Sequence, residues 1–381
     1  MIGATGSIGQ QALDVISRFP DEFQLVGAVA GHRSQALEEA LSKYPDAARV
    51  LVDPKGPVAP GTGVGIEAAC ALAGLADADV VLVGGGGAGS LLPTLAACEA
   101  GRLIAVASKE VLVMAGELIT RSARQHGARL VPVDSEHSAI WQCLRGEDPD
   151  TVDRLILTAS GGPFRITPLA EIPGATVERA LAHPNWRMGP KVTIDSATMM
   201  NKGLEVIEAH FLFGIPYERI DVVIHSQSTV HSAVQFHDGT LIAQMGVPDM
   251  RAPIALALSD GRRLPGVVGP LRLSETPSMD FVEVDHERFP ALGVARAAAL
   301  AGGAVPAAMN AANEVAVAAF LDGQIRFGEI AEVVAGACRA FSGPAAPDLG
   351  AILVADGWAR KWTGARIAEL AQERPTALEP A

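Results

Sequence analysis

The sequence predicts an α/β fold built in three regions: a parallel α/β region at 1–133, a mixed α+β region at 134–285 and a helical region at 286–381. Three observations carry this. Short apolar runs alternate with helical periodicity over the first third of the chain, the rhythm of βαβ units on a parallel sheet. The middle third carries strand-like runs separated by polar turns, which suit antiparallel pairing. The last third is alanine-rich and helical, broken at Gly302-Gly303 and at Ser342-Gly343-Pro344.

Taken in order, the first strand is the weakest element. Only Met1 and Ile2 precede a glycine loop, whereas a buried central strand is usually about five or six residues long. Either that strand is short or the sequence begins inside it, and extra apolar residues upstream are expected to strengthen the sheet. Leu25–Ala30, Val80–Val83, Leu103–Ala107 and Leu130–Val133 read as strands, with helical patterns at Ile8–Arg18 and Leu91–Glu99. Pro54–Gly65 reads as a surface loop. Further on, Arg154–Leu157, Val222–His225, Val230–Phe236 and Leu241–Met245 read as strands, and His237-Asp238-Gly239 as a hairpin turn. The tail after Arg374 reads as loosely held.

Composition narrows the function classes. The 381 residues carry a formal net charge of −13, which argues against nucleic acid or an anionic membrane as partner. A phosphorylated small molecule remains compatible, because a few local donors hold one phosphate. Cys70, Cys98, Cys143 and Cys338 are far apart, without a C-x-x-C pair, which suits a reducing, cytoplasmic setting. No basic or apolar leader precedes the glycine loop, and the apolar stretch Ala291–Phe320 is interrupted by Arg296, Pro306, Asn310, Asn313 and Glu314. It reads as packed helices, not a membrane span.

Gly3-Ala4-Thr5-Gly6-Ser7-Ile8-Gly9 opens the chain and a helix follows. Such a loop lets a diphosphate approach closely and places its charge at a helix N-terminus. The second strand ends in Ala30-Gly31-His32-Arg33-Ser34. An acid at that point would bind ribose hydroxyls; His32, Arg33 and Ser34 instead offer donors suited to a 2′-phosphate, favouring NADPH over NADH. The run Gly84–Gly89 follows a strand and is expected near the same edge of the sheet.

Asp134-Ser135-Glu136 follows a strand-like run, and an extended chain there would project both acids to one side. Glu205 and Glu208 share one face of a helix predicted over 203–213. Oxygen ligands of this kind suit a hard divalent ion such as Mg²⁺ or Mn²⁺. From spacing alone, solvent-facing acids at element ends are the simpler reading. Thr158–Gly162 and Asp195–Gly203 are dense in donors. Ser160, Ser196, Asn201 and Lys202 near a helix N-terminus make a phosphate cradle, though Ser196 or Asn201 could equally be a helix cap. A lysine inside that cap opposes the helix dipole, which a bound anion would offset. His183-Pro184-Asn185-Trp186-Arg187-Met188-Gly189 reads as a substrate lid, or as a loop pinned by its tryptophan.

Together with SKE at Ser108–Glu110, PVDSEH at Pro132–His137, SGGPF at Ser160–Phe164, HPNW at His183–Trp186, DSATMMNKGLE at Asp195–Glu205 and NAANE at Asn310–Glu314, these motifs resemble the 1-deoxy-D-xylulose 5-phosphate reductoisomerase family, in that family's order and over nearly the whole chain. The resemblance implies a Rossmann-like NADPH-binding domain, an α+β catalytic domain with a flap loop, a C-terminal helical bundle and a homodimer. It implies rearrangement and reduction of 1-deoxy-D-xylulose 5-phosphate to 2-C-methyl-D-erythritol 4-phosphate, in the non-mevalonate isoprenoid route. Asp134, Glu136 and Glu205 would bind the metal, Mg²⁺, Mn²⁺ or Co²⁺, with Glu208 close by. Ser160, Ser196, Asn201 and Lys202 would hold the phosphate, and Ser135, His183, Trp186, Glu205, Ser228 and His231 would face the rest of the substrate. Thr5, Gly6, Ser7, Ile8, Gly31, His32, Arg33, Ser108, Lys109, Glu110, Gly189 and Met250 would contact NADPH, with Lys109, Glu136 and His183 serving catalysis. The chain departs from the family's usual residues at Ser108, at Ser226 and around His32 and Arg33, and its Gly84–Gly89 run is long.

Two rival readings compete. An aspartate-semialdehyde-type dehydrogenase also opens on GATG, but it needs a nucleophilic cysteine beside a base, which no motif here supplies. A non-catalytic NADPH sensor would not need the acidic triad or the phosphate cradle.

Overall fold

The computed structural model describes residues 1–186, 188–276 and 278–373; Arg187 of the aromatic loop and the tail from Arg374 lie outside the described residues. In chain order the elements are α1 Ser7–Arg18, β1 Gly27–Ala30, α2 Ser34–Ala40, β2 Ala48–Leu51, β3 Gly63–Val64, α3 Ile66–Ala73, β4 Val80–Val83, α4 Leu91–Glu99, β5 Leu103–Val106, α5 Lys109–His126, β6 Arg129–Pro132, α6 Ser135–Cys143 and β7 Val152–Ala159. There follow α7 Val177–Leu181, α8 Pro190–Thr198, α9 Met200–Phe213, β8 Ile220–Ile224, β9 Val230–Phe236, β10 Leu241–Met245, α10 Arg251–Leu258, β11 Val282–Glu283, α11 Pro290–Ala301, α12 Val305–Leu321, α13 Phe327–Ala340 and α14 Leu349–Glu373. They form two compact units: Met1–Thr158 with Glu208–Val282, and Ala159–Ile207 with the chain from Glu283 onward.

The first unit holds the parallel sheet. Its halves, β1-β2-β3 and β4-β5-β6, are joined by Ile2, which bridges Val29 on one side and Val83 on the other, both in parallel sense. Met1 also bonds to β1, its amino group donating to the Gly27 carbonyl at 2.9 Å and its carbonyl accepting from Val29 N–H at 2.8 Å. Ile2 N–H donates to the Leu82 carbonyl at 2.8 Å, Gly84 N–H donates to the Ile2 carbonyl at 2.9 Å, and the side chain is 4% exposed. Strand order reverses about this residue, and such a switch point is where α/β sheets bind ligands. The loops starting at Gly3 and Gly84 both leave the sheet there.

The same unit carries the mixed sheet, ordered β10-β9-β7-β8-β11. β9 pairs antiparallel with both β7 and β10, and the 237–240 turn closes the hairpin as expected. Helix α5 packs on α9 where Gly116 meets Phe211; a Cβ on Gly116 would lie 2.2 Å from the ring.

The second unit is helical apart from its loops. Its alanine-rich stretch divides into α11 and α12 at Gly302 and Gly303, both with positive φ, as the glycine break predicts. Small side chains let α12 and α14 approach: Ala308, Ala311 and Ala359 form a buried cluster. Arg360 of α14 crosses that contact to reach Glu314 of α12 at 2.6 Å and pairs along its own helix with Asp356 at 2.8 Å.

Two local expectations are corrected. Asp134 and Glu136 do not sit on extended chain. Asp134 is the N-cap residue of α6, and Glu136 lies in its first turn. The rule of alternating sides therefore does not govern them; helix geometry does. The donor-rich segment 195–203 is not one loop into one helix. Ser196 belongs to α8, which ends at Met199 with φ 63°, and α9 starts at once, so Asn201 and Lys202 occupy its first turn.

Candidate functional site

The nucleotide loop is shaped by close backbone approach. Gly3 has φ +85°, and a Cβ there would fall 2.4 Å from the Gly85 nitrogen, so the glycine run can approach only because Gly3 lacks a side chain. Ser90 Oγ donates to the Gly85 carbonyl at 2.8 Å and fixes the run. Thr5 and Ile8 are half-buried, while Gly6 and Ser7 are exposed at the N-terminus of α1, open to an anion. Gly31 faces open space at the end of β1. His32 is exposed, and its Nδ1 lies 2.6 Å from the Asp53 carbonyl and 3.3 Å from a carboxylate oxygen of Asp53. Sequence reading missed this acid because it follows β2, not β1. Arg33 is exposed and occupies the N-cap position of α2. Met250 and Ile8 lie on the margin of one apolar core.

At the N-terminus of α5, Ser108 Oγ donates to Glu110 at 3.1 Å, and both are buried. Lys109, 7% exposed, places its ammonium 2.5 Å from Asp134. Ser135 Oγ donates to the Glu136 carboxylate. His137, a residue of the PVDSEH motif given no role from sequence, is fully buried. Its Nδ1 lies 3.3 Å from Glu208, also fully buried, and 3.8 Å from Asp134. Asp134, His137 and Glu208 can thus present three ligand atoms within 4.8 Å of one another. Its signal in the sequence was the i,i+3 spacing from Asp134 on what proves to be a helix.

On β9, His231 is 9% exposed. Burial lowers its pKa, against the opposing pull of Glu136. Ser228, just before β9, adopts a left-handed φ of 52°.

In the second unit, Glu205 is 1% exposed and accepts from Asn201 Nδ2 at 2.5 Å and from the Lys202 ammonium, itself 3% exposed. The lysine that opposes the helix dipole is thus balanced by a carboxylate one turn along. Gly162, with φ +62°, lets Ser160-Gly161-Gly162 lie against Ser196: a Cβ would fall 2.8 Å from the Ser196 carbonyl. Asp195, 1% exposed, is held by Lys191 at 2.8 Å and by the Asn313 amide at 2.8 Å. Asn313 of the NAANE motif therefore braces the segment bearing Ser196.

The aromatic loop is ordered by its histidine. His183 Nδ1 accepts from the backbone N–H of Asn185 at 3.2 Å and of Trp186 at 2.9 Å. Nδ1 is then the bare nitrogen, and Nε2–H donates to Ser160 Oγ at 3.0 Å. Burial lowers the ring's pKa and keeps it neutral. Trp186 is half-buried, and Gly189 is the N-cap of α8. The predicted ligands Asp134 and Glu136 belong to the first unit and Glu205 to the second, at the end of its α9 share.

Thiol chemistry is disfavoured. Burial pushes the thiols of Cys143 and Cys338 up to about 11 and that of Cys98 to about 12, so none supplies a thiolate near neutral pH.

Comparison with known proteins gives concordant results. The 1-deoxy-D-xylulose 5-phosphate reductoisomerase family matches residues 1–116, its C-terminal domain matches 130–213, and the DXP reductoisomerase C-terminal domain matches 245–362. The 1-deoxy-D-xylulose 5-phosphate reductoisomerase of Pelotomaculum thermopropionicum is 48% identical over 370 residues, covering 94% of this chain and 96% of its own. That of Symbiobacterium thermophilum is 50% identical over 373 residues, covering 94% and 96%. Among solved structures, the Zymomonas mobilis enzyme in complex with NADPH superposes with a TM-score of 0.87 at 43% identity, covering 96% of this chain and 97% of that one. A DOX-P reductoisomerase in complex with NADPH, fosmidomycin and magnesium superposes at 0.92 with 36% identity, covering 98% of each. The chain belongs to the 1-deoxy-D-xylulose 5-phosphate reductoisomerase family.

Proposed function

We propose that Asp134, Glu136 and Glu205 hold a divalent ion and that Ser160, Ser196, Asn201 and Lys202 hold the substrate phosphate, in an enzyme that converts 1-deoxy-D-xylulose 5-phosphate to 2-C-methyl-D-erythritol 4-phosphate with NADPH. The activity and both cofactors follow from family membership over the whole chain. The observation that carries the residue assignment is Glu205. A carboxylate 1% exposed is costly unless a cation meets it, and here the Lys202 ammonium stands in that place, as Lys109 does for Asp134.

The donor set fits a hard ion: carboxylate oxygens, with His137 3.8 Å from Asp134 and 3.3 Å from Glu208. Asp134, Glu136 and Glu205 would hold the ion, which would supply Lewis acidity for the rearrangement. Lys202 and Asn201, which donate to Glu205, would be the donors offered to the phosphate. Binding energy gathered at that remote group orients the reacting carbons. His183 presents its Nε2–H beside Ser160 and fixes the backbone that carries Trp186, which shields the aldehyde intermediate from water. Gly6, Ser7 and the N-terminus of α1 receive the cofactor diphosphate, with His32 and Arg33 at its 2′-phosphate. Lys109 and Glu110 lie along the same sheet edge.

By function, we divide the chain into 1–133 for cofactor binding, 134–285 for catalysis and dimerisation, and 286–381 as the helical bundle. A homodimer is supported by apolar side chains exposed on edge strands: Leu241 on β10 is 53% exposed and Val282 on β11 60%. Light scattering at twice the chain mass checks it; a monomer at working concentration contradicts it. No described helix is long and apolar enough to cross a membrane. We assign the enzyme to the cytoplasm, which the four separate free thiols support. The activity is tested by following NADPH consumption with 1-deoxy-D-xylulose 5-phosphate and identifying the product. NADH should serve much less well, and equal use of both cofactors would overturn the roles of His32 and Arg33.

A further inference from the structure

We infer that His225 is a positioning residue for the substrate pocket, locked as the Nδ1–H tautomer. The inference rests on the assignment of Ser228 and His231 to the substrate.

His225 directly follows β8 and is fully buried. Its ring nitrogens meet partners that leave no choice of protonation. Nε2 lies 3.1 Å from the backbone nitrogen of Thr229 and 3.2 Å from that of Val230, both of which can only donate. Nε2 must therefore be bare. Nδ1 lies 3.0 Å from the Asp280 carbonyl, which can only accept, so Nδ1 must carry the proton. A doubly protonated ring would turn an N–H against two N–H groups, and the other tautomer would oppose all three contacts.

These bonds shape the approach to β9. The Ser228 N–H donates back to the His225 carbonyl at 3.2 Å, closing a turn in which Ser228 takes its left-handed φ of 52°. A non-glycine residue pays for that conformation only where its neighbours enforce it. The imidazole supplies the enforcement by gathering the next two N–H groups onto one lone pair. Downstream, Thr158 Oγ lies 2.8 Å from the carbonyls of both Val230 and His231, its one proton shared between them, and fixes the strand's start from its other side. Ser228 and His231 are thereby set by two buried side chains, one accepting and one donating.

The ring also ties in a second segment. Phe281 stacks on it with centroids 4.6 Å apart and planes 11° from parallel. Gln227 donates to the Asp280 carboxylate at 2.7 Å, alongside the His225 bond to the Asp280 carbonyl. The turn bearing Ser228 is thus fastened to the chain just before β11.

Substitution separates the two nitrogens. Glutamine places an oxygen near the Nε2 position and keeps the acceptor; asparagine places an amide N–H near Nδ1 and keeps only the donor. In the full-length enzyme with NADPH and Mg²⁺, His225→Asn should raise KM for 1-deoxy-D-xylulose 5-phosphate about tenfold, the equivalent of one good hydrogen bond. NADPH affinity should hold, and kcat should change much less than KM. His225→Gln should recover most of the loss. In the unmodified enzyme, two-bond proton–nitrogen correlation should show Nδ1 protonated and Nε2 bare. An Nε2–H tautomer overturns the inference, as does an asparagine variant that matches wild type or a glutamine variant that fares worse than asparagine. Ser228→Ala and His231→Asn, measured in parallel, isolate the underlying reading. If neither moves KM while the tautomer is as stated, the substrate assignment has failed and the ring's geometry has not; the positioning role falls with that assignment.

Discussion

At the scale of single residues, the site is governed by buried groups whose protonation is fixed by their partners. His183 and His231 both have pKa values lowered by burial. Unfolded, each returns to about 6.5. The folded state then binds fewer protons than the unfolded one once pH falls below that value. Their contribution to stability is present above about pH 6.5 and is lost as pH falls through the folded values. Thermal midpoints should therefore drop on acidification through that window, and by less in a His183→Asn variant. An equal drop in both proteins would contradict the role given to His183. The same variant separates two functions of the ring. Asparagine can still accept the N–H groups of Asn185 and Trp186 near the Nδ1 position, but it cannot reach Ser160. Loop order should survive while substrate KM rises, by roughly tenfold for one lost hydrogen bond. Single residues also mark where sequence reading stopped. Glu205 and Lys202 were legible from their motif, but not that they pair. Asp53 beside His32, His137 beside Glu208, and Asn313 beside Asp195 are contacts between distant segments, which periodicity does not encode.

At the scale of elements, legibility followed periodicity. β4, β9, β10 and α4 occur with the bounds their apolar patterns predict, because each is bounded by turn residues. Two junctions failed for an identifiable reason. Asp134 follows a strand-like run, yet it is the N-cap residue of α6 with its carboxylate turned to Lys109, and Glu136 stands in the first turn, where a carboxylate suits the helix dipole. The break at Met199 carries neither glycine nor proline, so nothing in the local pattern announces its left-handed turn. Packing between helices was equally hidden. Gly116 reads as a weak point in α5, but its lack of a side chain admits Phe211 of α9. Gly116→Ala should force that ring aside and cost about 1–3 kcal/mol, since overpacking a full core strains both sides. Because α9 carries Glu208 and Glu205, metal affinity should fall with stability. A variant with unchanged thermal midpoint and unchanged metal dependence would show that the contact does not set the helix.

At the scale of the whole molecule, composition and motif order were sufficient for the α/β class and the family, while the division into compact units was not. Each unit is made from two separated stretches of chain, and α9 runs through the boundary at Ile207 and Glu208. A linear reading assigns contiguous regions, whereas each compact unit draws on two stretches far apart in the chain. The central claim is that carboxylates buried against lysine ammonium groups are ligands for a divalent ion on which turnover depends. It is tested most directly by titrating Mg²⁺ into chelator-stripped enzyme while following NADPH consumption with 1-deoxy-D-xylulose 5-phosphate, for the unmodified protein and for Glu205→Gln. The stripped enzyme should be inactive and recover with Mg²⁺, and the variant should lose more than about 100-fold at any Mg²⁺ concentration while still folded at the assay temperature. Full turnover after stripping, or a variant as active as wild type, would contradict the account.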